Sequence, residues 1–258
     1  MNKTVGFVGG GRVARVLLGG LKRCGKLPQQ VIVSDISPEP LERLKVLVPE
    51  VKTVVNGNKE ASAADIVFLA LHPPAIPSAI DEVKSALRGE AILISLAPKV
   101  TMARLKEMLD GFERIVRMLP NACSIVNAGY NPVCFSPAIP DGERKELLEW
   151  LGALGDCPEV AEEKIEAYAV LTGMGPTYFW FQWAELVELG KSLGLTEREA
   201  IDGLKKMLVG AVKTLFESGF SPEEVMDLIP VKPFAEEEQQ IRAMYRQKLE
   251  AMFQRLKP

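Results

Sequence analysis

A glycine-rich turn close to the N-terminus has the residue types and spacing that hold the phosphates of a dinucleotide. Residues 9–14 read Gly-Gly-Gly-Arg-Val-Ala, which is a G-x-G-x-x-A pattern. Gly9 allows a tight turn, Gly11 lets a pyrophosphate approach the backbone, and the small Ala14 lets a helix pack on the preceding strand. The free amides and positive dipole end of that helix would bind the phosphates. Because such turns also occur for purely structural reasons, the interpretation depends on the neighbouring elements.

The elements beside the turn fit a dinucleotide-binding unit. Thr4–Val8 predicts a buried strand, and the apolar spacing from Val13 to Leu21 predicts a helix. A second predicted strand, Val31–Asp35, ends on an acid about 20 residues after the turn, where a Rossmann unit places the carboxylate that binds the adenine ribose. That acid is either a ribose ligand or a strand-end turn residue. As a ligand it would repel a 2′-phosphate and so slightly favour NADH, whereas Arg12 favours NADPH.

Apolar runs alternate with helical segments up to about residue 155. Ile66–Leu71 and Ala91–Leu96 are typical of central strands covered on both faces, and Ile115–Met118 and Val133–Phe135 predict further strands. This alternation predicts a parallel sheet with right-handed crossovers, whose ligands lie beyond the carboxyl ends of the strands. Those ends are Gly9–Gly11, Ser34–Asp35, His72–Pro73, Ala97–Lys99 and Pro120–Asn121.

After about residue 155 the strand signals stop, and the rest of the chain predicts helices. The predicted helices are Glu162–Leu171, Tyr178–Leu193, Glu197–Ser218, Pro222–Leu228 and Ala235–Leu256. The last of them carries an apolar stripe that packs either in the core or against another subunit. We therefore expect an α/β Rossmann-like dinucleotide-binding domain over residues 1–155 and an all-α domain over residues 156–258.

Composition excludes several classes of function. The chain has 258 residues, 47% of them hydrophobic and 25% charged, with a formal charge of −3, which argues against a nucleic-acid surface. No apolar run reaches the roughly 18 residues that span a bilayer, and no signal peptide precedes the first strand, so we expect a cytoplasmic protein. The four cysteines lack metal-site spacing and His72 is the sole histidine; we expect reduced thiols, no metal site and no Ser-His-Asp chemistry.

Six segments, in order and at matching spacing, resemble the motifs of one enzyme family. They are Gly6–Gly11, Asn58–Glu60, Phe68–Pro73, Ser95–Thr101, Arg117–Asn121 and Thr172–Tyr178. The corresponding family motifs include Leu-Ala-Val-Lys-Pro, Ser-Ile-Ala-Ala-Gly-Val-Thr and Ser-Gly-Ser-Gly-Pro-Ala-Tyr. From Val5 to about Leu228 the chain resembles the pyrroline-5-carboxylate reductases.

The resemblance implies a Rossmann domain followed by a helical domain that intertwines as a homodimer, with the active site at the dimer interface. We expect a homodimer or a higher homo-oligomer. It implies reduction of the C=N bond of a five-membered cyclic imine acid, which gives proline, at the expense of NAD(P)H. The expected catalytic and substrate-end residues are Thr172, Gly175 and Pro176, with Thr172 as the surviving hydroxyl donor. The expected cofactor-binding residues are Gly9, Gly11, Arg12, Val13, Ser34, Asp35, Asn58, Leu71, His72, Pro73, Ala97 and Asn121.

The departures from the family concentrate where the substrate would bind. Met174 replaces the second serine of the family motif, Met207 replaces a helix threonine, and Ala184 replaces a glutamate. Pro230–Phe234 occupies the region of a donor-rich Ser-Pro-Gly-Gly-Thr-Thr loop. The pocket is therefore expected to be more apolar and poorer in carboxylate ligands. Within it, Lys232 is either a substitute donor or a solvated surface lysine.

Two other classes of function stay open from the sequence. The chain would be a different NAD(P)-dependent dehydrogenase, acting on a hydroxy acid or another carbonyl, if Lys191 served as its acid–base group. Alternatively, it would be a non-catalytic nucleotide-binding protein whose substrate site is degenerate. Turnover of a cyclic imine would distinguish the reductase from both of these alternatives.

Overall fold

The computed structural model describes residues 3–257, which divide into two units. Residues 3–174 and 252–257 form the first unit, and residues 175–251 form the second. The strands are β1 (Val5–Val8), β2 (Val31–Asp35), β3 (Lys52–Val55), β4 (Ile66–Leu69), β5 (Ile92–Ser95), β6 (Ile115–Met118), β7 (Gly129–Tyr130), β8 (Val133–Phe135) and β9 (Gly155–Asp156). The helices are α1 (Arg12–Arg23), α2 (Pro38–Leu47), α3 (Asn58–Ser62), α4 (Ile76–Ala86), α5 (Met102–Met108), α6 (Asp141–Leu151), α7 (Ile165–Tyr168), α8 (Pro176–Ser192), α9 (Glu197–Glu217), α10 (Pro222–Asp227) and α11 (Glu238–Leu256).

The main sheet of the described residues has seven strands in the order β3-β2-β1-β4-β5-β6-β8. Neighbouring strands from β3 to β6 pair in parallel, which confirms the predicted Rossmann-like domain. Strand β8 departs from the expected parallel pattern because it runs antiparallel to β6, with Val116 opposite Phe135. A parallel return requires a long crossover, usually an α-helix; the segment between these strands instead contains a 3₁₀ turn, Ala122–Val126, and the two-residue β7.

Central strands are apolar because both faces of the sheet are covered. Every residue of β1, β4, β5 and β6 is buried, and two apolar clusters pack on opposite faces of the sheet. The rings of Phe7 and Phe68 stack across neighbouring strands with their centroids 4.4 Å apart. This packing fixes the positions of the strand ends that carry the candidate site.

Two parts of the first unit were not anticipated from the sequence. Helix α6 is highly charged, yet it buries Leu147, Trp150 and Leu151, and Trp150 donates a hydrogen bond to the carbonyl of Lys26. The segment predicted as one helix over Glu162–Leu171 instead starts as a 3₁₀ turn, continues as α7 and ends as a π-turn over residues Ala169–Gly173.

The two units divide after Met174, whereas the change in composition lies near residue 155. Residues 156–174 pack with the first unit because they continue its backbone pairing. The amide of Asn131 donates to the carbonyl of Asp156, and the amide of Val133 donates to that of Pro158. The change in composition near residue 155 therefore marks the end of the predicted strands, whereas the first structural unit continues to Met174.

The second unit is helical, as predicted, and its helices leave much apolar surface uncovered. Capping boxes at Thr196 and Ser221 fix the starts of α9 and α10. Large apolar side chains of α8 and α9 are exposed in the single chain, among them Trp180, Phe181, Val209, Val212 and Phe216. Across residues 3–257, none of the helices combines the length and apolar content needed to cross a membrane.

Candidate active site

The glycine turn has the backbone geometry of a phosphate-binding turn. Gly9 adopts a φ of +107°, and a Cβ there would lie 2.4 Å from the carbonyl oxygen of Ala70. At Gly11, by contrast, a Cβ would project into open space. Ala14 is completely buried where α1 packs on the sheet. The first glycine is therefore needed by the fold itself, while the second leaves the approach to the backbone clear.

The N-terminus of α1 is suited to an anion. Among the described residues, no side chain caps this helix end, and the first turn contains no acid. Arg12, the first helical residue, is exposed, and Val13 is half-buried. The first amides of a helix have no intrahelical acceptor, so those of Arg12 and Val13 can donate to a bound phosphate.

Asp35 holds the glycine turn from the end of β2. Its Oδ2 accepts the amide of Gly10 at 2.9 Å, and its Oδ1 accepts the amide of Ser37 at 3.0 Å. Asp35 therefore has the turn-stabilising role that the sequence left open as one of two alternatives. Each carboxylate oxygen has a second acceptor site, so a ribose contact is compatible with these bonds and stays a prediction.

Ser34 and Asn58 form a buried pair beside the turn. The Ser34 hydroxyl donates to Asn58 Oδ1 at 2.8 Å, and the Ser34 carbonyl accepts the amide of Gly9. Ser34 has no exposed surface, whereas Asn58 retains 8% exposure at the start of α3. Ser34 therefore orients the side chain of Asn58 with its hydroxyl and stabilises the glycine turn with its backbone carbonyl.

The remaining predicted cofactor residues lie at the same edge of the sheet. His72 is exposed and extended after β4, and Pro73 begins a short 3₁₀ turn. Leu71 is half-buried and packs close to Gly9, while Ala97 is buried after β5. The parallel register of β1, β2, β4 and β5 brings these segments together, as the sequence predicted.

Asn121, at the end of β6, joins the sheet to the segment that contains Thr172. Its Oδ1 accepts the amide of Cys123, which caps a 3₁₀ turn, and its Nδ2 donates to the carbonyl oxygen of Thr172 at 2.9 Å. Its own amide donates to Asn131 Oδ1. These bonds place Thr172 beside the carboxyl edge of the sheet.

Thr172 lies in the π-turn that follows α7, a distortion that is frequent at functional sites. Its hydroxyl donates to the carbonyl of Tyr168 at 2.9 Å. Because that bond uses the hydroxyl proton, the lone pairs of Oγ1 are what the side chain offers to a ligand. Thr172 is thus better suited to accept a hydrogen bond than to donate one, which is the reverse of the role expected from the sequence.

The other predicted substrate-end residues belong to the second unit. Gly175 and Pro176 begin α8. Ala184 on α8 lines a cavity of about 640 Å³ together with apolar residues of α9. Met207 is exposed on α9. The predicted catalytic set therefore lies partly in each unit.

Lys232 lines a second cavity of the helical unit, with a volume of about 840 Å³. Most of the wall is apolar and includes Leu215, Ile229 and Phe234. Arg242 also lines this cavity, where it donates to Glu238 at 2.7 Å. Lys232 is itself exposed, and its role as a substitute donor stays a prediction.

A buried ionic group in the first unit was not predicted from the sequence. Arg117 in β6 is 1% exposed and forms ion pairs with Glu162 at 3.0 Å and Glu166 at 2.6 Å. A lone arginine inside an apolar strand is a signal that a buried carboxylate must lie nearby. Which carboxylate it would be was not evident, because the partners follow 45 and 49 residues later.

Lys191 lacks the properties of a poised acid–base group. It pairs with Glu188 one helical turn away at 2.8 Å, and hydrogen bonding to that carboxylate raises the pKa of the lysine. Acid–base catalysis near neutral pH is most efficient with a pKa near the operating pH. The hydroxy-acid alternative therefore receives no support from this lysine.

The four cysteines are free thiols within the described residues. Burial raises the pKa of Cys134 to about 12 and that of Cys157 to about 11. Both are protonated at neutral pH and therefore poor nucleophiles. Among residues 3–257, no group of three or more His, Cys, Asp or Glu side chains is arranged to hold a metal ion.

Two family models match successive parts of the chain. Residues 4–99 match the model described as NADP oxidoreductase coenzyme F420-dependent, and residues 162–257 match the model described as pyrroline-5-carboxylate reductase dimerisation. The first covers the glycine turn and the strand ends up to Lys99. The second covers Thr172 and the helical unit.

Whole-chain comparisons agree with these models. The pyrroline-5-carboxylate reductase of Escherichia coli is 26% identical over 89% of this chain and 85% of its own, and the human pyrroline-5-carboxylate reductase 2 is 29% identical over 87% and 71%. The structure of the Coxiella burnetii enzyme superposes with a TM-score of 0.75 at 27% identity, covering 99% and 98% of the two chains. The NADP-bound Plasmodium falciparum reductase shares the fold, with a TM-score of 0.84 at 20% identity over 99% and 97%. Together, the two family models and these whole-chain similarities support the pyrroline-5-carboxylate reductase family.

Proposed function

We propose that this protein is an NAD(P)H-dependent reductase of a cyclic imine, and that pyrroline-5-carboxylate is its substrate. The observation that carries the proposal is the link between two ends of one site. Asn121 follows β6 at the edge of the sheet that presents the phosphate-binding turn, and its Nδ2 donates to the carbonyl oxygen of Thr172 at 2.9 Å. The similarity to pyrroline-5-carboxylate reductases supports the reaction class. The Escherichia coli and human relatives are named after this substrate.

The residues at the sheet edge fit a dinucleotide. The amides of Gly11, Arg12 and Val13 would bind the pyrophosphate, because the approach to Gly11 is open and the helix end has no side-chain cap among the described residues. Asp35 and Asn58 would contact the ribose next to the turn. When bound, the reduced nicotinamide supplies the hydride that the imine carbon requires.

The hydrogen bonding of Thr172 indicates how the imine nitrogen of the substrate would bind. A protonated imine nitrogen carries an N–H that can donate to a lone pair of Thr172 Oγ1, while the hydroxyl of Thr172 continues to donate its own proton to the carbonyl oxygen of Tyr168. Addition of hydride to carbon then leaves a neutral amine, and the nitrogen already holds its proton. The contribution of the chain is to orient the two reactants.

Homodimerisation is part of this proposal. Apolar side chains of α8 and α9 exposed in the single chain include Trp180, Val209 and Phe216, and exposed apolar patches of this kind mark interfaces. In light scattering we expect twice the 28.3 kDa of one chain, and we expect Val209→Glu to shift the mass towards one chain. A wild-type mass of one chain would contradict the dimer.

The substrate assignment is tested by NAD(P)H oxidation with pyrroline-5-carboxylate and with pyrroline that lacks the carboxylate. We expect turnover of the former. Thr172→Val should lower kcat/KM by about 10- to 100-fold, since a hydrogen bond to a charged group contributes about 1.5–3 kcal/mol. Thr172→Ser keeps the acceptor and should remain within about threefold of wild type, a difference below about 1 kcal/mol. Absence of turnover of both imines by the folded wild-type protein would refute the proposed function.

Cofactor preference depends on the balance between Asp35 and Arg12. We propose a preference for NADH, since two unit charges about 4 Å apart in water repel by about 1 kcal/mol, or roughly fivefold. Asp35→Asn removes the charge but keeps an acceptor, and should raise kcat/KM for NADPH relative to NADH by about that factor. Arg12→Ala should change the ratio in the opposite direction. A wild-type preference for NADPH would contradict this assignment.

A further inference from the structure

Glu166 lies buried where three parts of the first unit meet. It belongs to α7 and is 3% exposed. Its Oε1 accepts Arg117 Nη2 at 2.6 Å and the backbone amide of Lys99 at 3.3 Å. One carboxylate oxygen therefore contacts strand β6 and the loop after β5 at the same time.

The loop contacted by Glu166 has a demanding backbone conformation. Lys99 adopts a φ of +69°, which residues with a Cβ rarely adopt. It stands where the family motif quoted above has glycine. It also follows Ala97 by two residues, so its conformation sets the path of a segment assigned to the cofactor. The hydrogen bond from Lys99 to Glu166 holds this conformation in place.

A closed ring of contacts runs from Glu166 to the substrate end. Arg117 lies on β6, and that strand leads to Asn121, whose side chain holds the carbonyl of Thr172. Thr172 in turn lies six residues after Glu166, in the π-turn that continues α7. The ring thus passes through Arg117, Glu166, Thr172 and Asn121, and Lys99 is attached to it at Glu166.

We propose that Glu166 is a positioning residue, which fixes the loop at Ala97 and the hydroxyl of Thr172 relative to one another. The inference rests on the proposed function, in which these segments serve cofactor and substrate. Glu162 also pairs with Arg117, but its side chain is 28% exposed and its other contact is the amide of Met102 at the start of α5. Glu166 alone of the two carboxylates contacts the Lys99 amide among the described hydrogen bonds.

The test compares Glu166→Leu, Glu166→Gln and Glu166→Asp in the full-length protein. Leucine removes both bonds, glutamine keeps an acceptor oxygen of the same reach, and aspartate keeps the charge but is too short to contact both partners. The exposed neighbour Glu163 provides the control, Glu163→Leu. Each variant is assayed at a temperature where circular dichroism shows it to be folded.

We expect Glu166→Leu to lower kcat by about 30- to 100-fold, because a misplacement of about 1 Å costs about 10²-fold. The KM for NADH should stay within about threefold, since the phosphate-binding turn is untouched. With NADH deuterated at C4, the isotope effect on kcat should rise, as hydride transfer becomes rate-limiting. Glu166→Gln and Glu163→Leu should resemble wild type, and Glu166→Asp, with its charge retained, should lose about tenfold in kcat. A merely structural ion pair would lower the melting temperature without changing the isotope effect.

A second readout separates this inference from the proposed function. NADH binding should slow amide hydrogen exchange over residues 165–174 in wild type and Glu166→Gln, and should leave it unchanged in Glu166→Leu and Glu166→Asp. Wild-type protein that turns over no imine would refute the proposed function, while the exchange experiment would still test the coupling. Wild-type kcat in folded Glu166→Leu or Glu166→Asp, or cofactor-dependent protection in either, would overturn the positioning role.

Discussion

The candidate site depends on backbone amides that the fold leaves without acceptors at the start of α1. Gly9, with its φ of +107°, turns the chain out of β1 so that these amides face the carboxyl edge of the sheet. Asp35 fixes the turn by accepting the amide of Gly10, and the open space at Gly11 leaves room for a ligand. An anion at this point completes hydrogen bonds that the chain itself does not supply.

In the proposed site, the substrate end is positioned by polar contacts inside an apolar sheet. Arg117 interrupts the apolar residues of β6, and its charge is compensated by Glu162 and Glu166. Burying such charges has a large desolvation cost, so an ion pair of this kind is weak evidence for a role in stability. The ion pair lies between Lys99 and the π-turn that contains Thr172, and this location is the reason for the positioning role that we propose for Glu166.

Local signals in the sequence predicted much of this structure. Strands β2, β6 and β8 have the predicted limits. The start of α5 is a further local feature, since the Thr101 hydroxyl accepts the amide of Arg104. Features that depend on distant partners were not predictable in this way: the antiparallel direction of β8, the packing of α6, and the pairing of Arg117. The bond from the Thr172 hydroxyl to the carbonyl of Tyr168, four residues earlier, is local. The π-turn around it was not predictable, because apolar spacing does not distinguish such a turn from an α-helix.

The central claim, that the opening turn holds a dinucleotide, is tested most directly by isothermal titration of the protein with NADH and NADPH. The account predicts saturable binding with a Kd on the order of 1–100 μM for at least one of them, which is about −8 to −5.5 kcal/mol. Gly11→Val, whose side chain would enter the open space before the turn, should abolish this binding without unfolding the protein. No binding of either cofactor by well-folded wild-type protein, or unchanged binding by Gly11→Val, would contradict the account.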